Sequence, residues 1–162
     1  MKVTIYADGA CANNCASKEN KASGAEEAPG AWAAVIIRDD KPGEILISGK
    51  SSGTTTNNIM ELRAVLAAIE HIQSKIPERA HIHVVTDSTY VAHNIIEGWV
   101  LRWEINGWKT TKRKPVANKE MWQEMLGYMR RFHITAEWVK GHAGHSQNEW
   151  CDARCSELLG RF

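Results

Sequence analysis

Apolar and polar residues alternate through the opening stretch Met1 to Ala10, MKVTIYADGA. Val3, Ile5 and Ala7 point one way and Thr4, Tyr6 and Asp8 the other, the two-residue period of a strand. Gly9 is expected to stop it. Residues 9 to 30 are small, polar and charged without apolar periodicity, which predicts a long loop. Ala31–Arg38 (AWAAVIIR) and Glu44–Lys50 (EILISGK) read as strands around the turn DDKPG, hence as an antiparallel hairpin. After the polar SSGTTTNN, residues Ile59, Leu62, Val65, Leu66, Ile69 and Ile72 recur at helical spacing, and Pro77 marks the end of that helix. His81–Thr86 (HIHVVT) predicts a strand with Asp87 at its exit. Ser88 to Ile96 predicts a short helix, Gly98 interrupts, and a second runs to about Ile105. Trp122, Met125, Leu126 and Met129 form one face of a further helix, and Ile134–Val139 (ITAEWV) is the last strand. Ser146 with Glu149 three residues on has the form of a capping box. In the helix it opens, Cys151, Cys155 and Leu158 mark the buried side and Gly160 the end.

The order β β β α β α α α β α predicts an α/β sheet, antiparallel early and parallel later, with no internal repeat and no linker between domains. A length of 162 residues suits one domain, 1–162. At a net charge of +1 the molecule is not basic throughout, so any nucleic-acid footprint must be local. No apolar run approaches the ~18 residues of a membrane span, and the start has no signal-peptide core. The expectation is an intracellular, cytoplasmic protein without a membrane partner.

Three acids stand at element ends that can converge: Asp8 ends the first strand, Asp87 ends the fourth, and Glu61 lies in the first turn of the first helix. In parallel neighbours Asp8 and Asp87 would share the carboxyl rim of the sheet, where α/β proteins place ligands. Asp152 lies early in the last helix. For Glu61 and Asp152 the simpler role is to complement the helix macrodipole. Four carboxylates brought together would raise one another's pKa values and call for cations. Oxygen-only ligands suit Mg²⁺ or Mn²⁺.

At these residues the chain resembles the type 1 ribonucleases H, in the bacterial form without a hybrid-binding domain. The matching segments are IYADGA, TTNNIMEL, TDSTYV, GWKT…KPVAN and WVKGHAGHSQNEWCD, in the family's order and covering most of the chain except residues 15 to 29. The resemblance implies a five-stranded mixed sheet with flanking helices. It implies that Asp8, Glu61, Asp87 and Asp152 bind two Mg²⁺ ions, for which Mn²⁺ can substitute. It also implies hydrolysis of the RNA strand of RNA/DNA hybrids to 5′-phosphate and 3′-hydroxyl ends by a monomer. Two ions ~4 Å apart would clamp the scissile phosphate. His142, between Gly141 and Ala143-Gly144, matches the residue for proton transfer or product release; a histidine titrates in the right range. Two other readings remain open: another nuclease or integrase of the same fold, or a binding module without catalysis.

Telling RNA from DNA requires reaching the 2′-hydroxyl in the minor groove. By resemblance Asn14, Asn57 and Asn58 lie in that groove, although Asn57 and Asn58 also suit a helix cap. Thr56 and Asn118 match a pocket for a DNA phosphate, and Asn118 is expected to cap its helix as well. Residues 98–119 resemble a basic handle. Gly107–Lys119 holds five basic residues and no acidic one, with Lys112, Arg113 and Lys114 as phosphate contacts. Trp99, Trp103 and Trp108 would offer flat surfaces to sugars, with Trp108 the one expected to pack into the core instead. The chain departs from the family pattern at the 15–29 insertion and at Thr54, which stands for an arginine. Thr89 stands for a glutamine of the minor-groove contact, and Glu104-Ile105-Asn106 for a basic triplet.

Cys11 and Cys15 flank the loop after Asp8, and Cys151 and Cys155 lie on either side of Asp152. The simplest expectation is two buried thiols on the last helix and two loop cysteines. A disulfide or a tetrahedral zinc site joining the two pairs is the alternative.

Overall fold

The computed structural model describes residues 1–12, 29–51, 55–141 and 145–160. The elements are β1 (Lys2–Cys11), β2 (Gly30–Arg38), β3 (Ile45–Lys50), α1 (Asn57–Ile72), β4 (His81–Thr86), α2 (Thr89–Ile96), α3 (Trp99–Ile105), α4 (Lys119–Arg131), β5 (His133–Trp138) and α5 (Ser146–Leu158). The five strands form one mixed sheet in the order β3-β2-β1-β4-β5. β1–β2 and β2–β3 are antiparallel, and β1–β4 and β4–β5 parallel. This is the α/β architecture that the alternation of elements predicts.

The two sides of the sheet are filled differently. Val3, Ile5 and Ala7 join Leu62, Leu66 and Ile69 of α1, Val91 of α2 and Trp122 and Met125 of α4 in the main core. On the opposite side a smaller cluster holds Ala31, Ala33 and Val35 against Cys151 and Cys155 of α5. The thin residues let α5 lie close. Its thiols approach the carbonyls of Tyr6 at 3.6 Å and Asp8 at 3.7 Å. Burial raises both thiol pKa values, so these cysteines stay protonated.

Several local expectations are corrected. β1 does not stop at Gly9: it pairs with β2 as far as Cys11 opposite Gly30. Gly9 is a point of close approach. A Cβ there would lie 2.3 Å from the Met60 carbonyl carbon and 2.4 Å from the Glu61 nitrogen. Asn57 and Asn58 do not cap α1; Thr56 Oγ1 does, accepting from the Ile59 N–H at 3.2 Å. The Ser146–Glu149 capping box does not form. His145 occupies the N-cap position and accepts the Glu149 N–H through its backbone carbonyl. Asn118 does occupy the N-cap position of α4, in the left-handed region at φ 58°, but caps through its backbone carbonyl, which accepts the Trp122 N–H at 3.1 Å; its side chain makes no cap bond, and Nδ2 donates to the Tyr90 hydroxyl at 3.0 Å. Cys11 is buried in β1 and disulfide-bonded rather than a loop thiol, whereas Cys151 and Cys155 are free. Cys15, Asn14, Thr54 and most of the 9–30 loop lie outside the described residues.

Candidate active site

β1 is the central strand, and its parallel register with β4 pairs Ala7 with Thr86. Asp8 and Asp87 therefore leave adjacent strands at the same rim. The close approach at Gly9 brings α1 onto β1 and sets Glu61 against Asp8. Asp8, Glu61 and Asp87 each offer one carboxylate oxygen, and these three atoms lie within 4.8 Å of one another. Asp8 is 7% exposed, and its Oδ1 accepts the Gly9 N–H at 3.0 Å.

Asp152 stands outside this tight trio, on the exposed side of α5. It lines a small cleft with Asp87, Gly141, Asn148 and Glu149, and its charge still acts on Asp8. His142 lies outside the described residues.

The electrostatics follow from burial and like charge. Burial first, then the charge of Asp87, raises the Asp8 pKa from 3.8 to about 7. Burial, then Asp8 and Asp87, raises Glu61 well above the usual carboxylate range. The direct interaction of the two side chains lowers the pKa of Asp8 and raises that of Glu61, so without a cation Glu61 is the one that favours its protonated form. The second Glu61 oxygen, Oε2, is buried with no hydrogen-bond partner. A buried, unpartnered carboxylate oxygen on a residue whose carboxylate converges with two others fits a hard divalent cation. The donor set is oxygen only, which suits Mg²⁺ or Mn²⁺ rather than Zn²⁺.

The expected substrate-contacting residues are spread over several elements. Asn57 and Asn58 are exposed at the start of α1, and Asn57 Oδ1 accepts the Cys11 N–H at 3.1 Å. Thr89 is exposed at the start of α2. Lys112, Arg113 and Lys114 are exposed on a tight turn, in which Arg113 N–H donates to the Thr110 carbonyl at 2.8 Å and Thr110 N–H to the Lys114 carbonyl at 2.7 Å. The tryptophans divide. Trp108 packs on the main core as expected, but so does Trp103, whose ring centroid lies 6.0 Å from that of buried Trp122. Trp99 is more peripheral: Arg102 sits 4.7 Å over its ring and its Nε1 donates to Glu97 at 2.7 Å. Glu104, in the triplet that departs from the family pattern, pairs with Arg130 of α4 and so ties α3 to α4. Spacing gives no sign of the Trp103 ring contact, since α3 has only 7 residues.

Among the described residues no helix is long and apolar enough to cross a membrane. The family model described as RNase H matches residues 1–159. A ribonuclease HI of Caulobacter vibrioides is 40% identical over 158 residues, covering 98% of this chain and 93% of its own. A ribonuclease H of Dinoroseobacter shibae is 37% identical, covering 97% of this chain and 90% of its own. Among solved structures, LC9-RNase H1, described as a type 1 RNase H with the type 2 active-site motif, superposes with a TM-score of 0.78 at 29% identity, covering 98% of this chain and 72% of that one. LC11-RNase H1, solved in complex with RNA/DNA hybrid, shares the fold at a TM-score of 0.62 and 18% identity, covering 97% of this chain and 99% of that one. Three carboxylates that converge at the rim of the sheet, one from β1, one just past β4 and one from α1, a family match over nearly the whole chain and relatives of similar length lead to one assignment: this chain belongs to the ribonuclease H family, as a type 1 enzyme.

Proposed function

We propose that the chain hydrolyses the RNA strand of RNA/DNA hybrids, leaving 5′-phosphate and 3′-hydroxyl ends, with Asp8, Glu61, Asp87 and Asp152 holding two Mg²⁺ ions. The observation that carries this reading is the buried, unpartnered Glu61 Oε2 among converging carboxylates. When bound, such ions activate water and neutralise charge that develops on the phosphate and the leaving oxygen. The chain's own part is positioning. Asp8 is held by the central strand and the Gly9 N–H, and Glu61 by the helix that closes on Gly9. Asp87 and Asp152 line the open side, where a phosphate can enter. His142 is assigned the proton transfer. Its replacement by Ala should slow turnover by about 10²–10⁴-fold and leave a residual rate. Complete loss in a single-turnover assay would instead give His142 a structural role.

Asn14, Asn57, Asn58 and Thr89 are the minor-groove contacts in this reading. Thr56 and Asn118 hold a DNA phosphate, and Trp99 is the tryptophan best placed to meet a sugar. One copy carries all four carboxylates, so a monomer suffices. Labelled RNA/DNA, RNA/RNA and DNA/DNA duplexes, each with Mg²⁺ and with Mn²⁺, test the assignment. Only the hybrid should be cut. Cleavage of duplex DNA with the hybrid spared would favour another nuclease or an integrase, and binding without cleavage a recognition module.

Neutralising Lys112, Arg113 and Lys114 together should raise the hybrid KM. Each lost phosphate contact lowers the log–log salt slope by about one, so the triple variant should lose up to ~3. A slope equal to that of the parent would remove this turn from the substrate path.

A further inference from the structure

β4 and β5 carry a second cluster of metal-binding side chains, away from the carboxylates. His81 and His83 are alternate residues of one strand and so share a face. The parallel register places His133 of β5 directly beside His81, and Thr135 beside His83. On this side α5 packs against β1, β2 and β3, while α2 packs on β4 and β5 through the main core. The histidines therefore line a side of the sheet that α5 leaves open.

We propose that His81, His83 and His133 form a binding site for a divalent transition metal of borderline softness, Zn²⁺, Ni²⁺ or Cu²⁺. The ring centroids of His81 and His133 lie 5.0 Å apart, and those of His81 and His83 5.9 Å. With metal–nitrogen bonds of about 2.0–2.1 Å, two imidazoles on one tetrahedral ion have centroids roughly 5 Å apart. Both strand histidines already aim at a single point. His81 Nε2 and His83 Nδ1 each lie 2.6 Å from Thr135 Oγ1. His83 Nε2 lies 3.4 Å from a Glu137 carboxylate oxygen, a pairing that orients an imidazole and strengthens it as a ligand.

At His81 the surroundings favour a metal over a proton. Burial, then His133, Lys2 and His83, depress the pKa of His81, so its lone pair is available at neutral pH. Closing the sphere requires one ring to turn from its present position, and His133 is exposed. Lys2, which also lies beside His81 on β1, repels a cation. The affinity is therefore placed in the micromolar range. Imidazole ligands suit Zn²⁺, Ni²⁺ and Cu²⁺ and bind Mg²⁺ poorly, whereas the carboxylate trio suits hard ions such as Mg²⁺. One sheet would thus hold two metal sites sorted by ligand chemistry. An ion bound by His81 and His133 would also clip β4 to β5.

The test is calorimetric titration of the full chain with NiCl₂ and with ZnCl₂, in excess Mg²⁺ to occupy the carboxylates. The wild type should bind one ion at micromolar Kd. His133→Ala and His81→Ala should each weaken binding at least ~10-fold, since losing even a residue that only orients a ligand costs about that much. His93→Ala, at an exposed position of α2, should bind as the wild type does. In parallel the imidazole signals of His81, His83 and His133 should shift together on zinc addition, and saturating zinc should raise the wild-type Tm but not that of His133→Ala. His133→Ala changes an exposed residue and keeps the test decisive if His81→Ala does not fold. Its Mg²⁺-dependent cleavage of hybrid should be unchanged, which separates this site from the catalytic one. Equal affinity of His133→Ala and wild type, or wild-type binding no tighter than millimolar, would overturn the proposal.

Discussion

Asp8→Asn should lower the rate of hybrid hydrolysis by at least about 10³-fold and, at the same time, make the metal-free protein more stable at neutral pH. Both effects have one cause. Asp8 sits where three carboxylate oxygens lie within 4.8 Å, a density of negative charge that is useful only around cations. Its pKa is raised from 3.8 to about 7 by burial and then by Asp87. A raised acid binds its proton more tightly folded than unfolded, so stability falls as pH rises from about 4 to 7 and the full penalty stands above that window. Metal-free wild type should therefore lose Tm between pH 5 and pH 8. The asparagine side chain has no such proton to lose, so the variant should flatten that slope, and Mg²⁺ should restore stability to the wild type more than to the variant. Thermal melts across pH in EDTA, with and without added Mg²⁺, measure this. Turnover at the wild-type rate, or an unchanged Tm–pH slope, would break the link between the acidic trio and metal binding.

Gly9→Ala should be severely damaging. The new Cβ would meet the Met60 carbonyl carbon at 2.3 Å and the Glu61 nitrogen at 2.4 Å. Both are backbone atoms inside a helix and cannot swing aside. Either β1 or α1 must move, at a cost of about 3 kcal/mol or more, and the movement separates Asp8 from Glu61. Tm should fall by roughly 6–12 °C or more, and cleavage should be lost in whatever fraction still folds. Gly127→Ala is the informative contrast. Gly127 lies inside α4, and a methyl group there would meet nothing within 4 Å, so alanine should stabilise by about 0.5–1 kcal/mol. If both substitutions were neutral, the close approach of β1 and α1 would not be what assembles the acidic trio.

The alternation and helical periods were enough to place the strands and helices in their correct order, because each buries one face against a common sheet. They were not enough at Gly9. In sequence a glycine after an aspartate signals a turn. Here it is a strand residue whose missing side chain admits another backbone, a fact that exists only once α1 is docked. Capping failed for a related reason. Asn57, Asn58, Ser146 and Asn118 are all good caps by residue type, but a neighbouring residue or a tertiary partner such as the Tyr90 hydroxyl decides which oxygen is used. Three of the four carboxylates converge as the resemblance implies. Asp152 lies further out because its place depends on the seating of α5, which two small cysteines set. The histidines on β4 passed unnoticed as a pair. The third comes from β5, far along the chain, and only strand register puts it beside them.

The central position of β1 has a further consequence, for the order in which function fails. A strand hydrogen-bonded on both edges and covered on both faces opens only when the whole domain does. Asp8 rides on such a strand. The basic turn near Lys112 hangs instead on a single bridge between Lys109 and Pro115 and a few turn bonds, and so exchanges its amide protons through local opening. In the proposed reading, capture of substrate falls to the labile part of the molecule and bond cleavage to the part that opens last. On that reading, partial destabilisation should weaken the grip on the hybrid before it removes the means to cut it, so KM should rise before kcat falls.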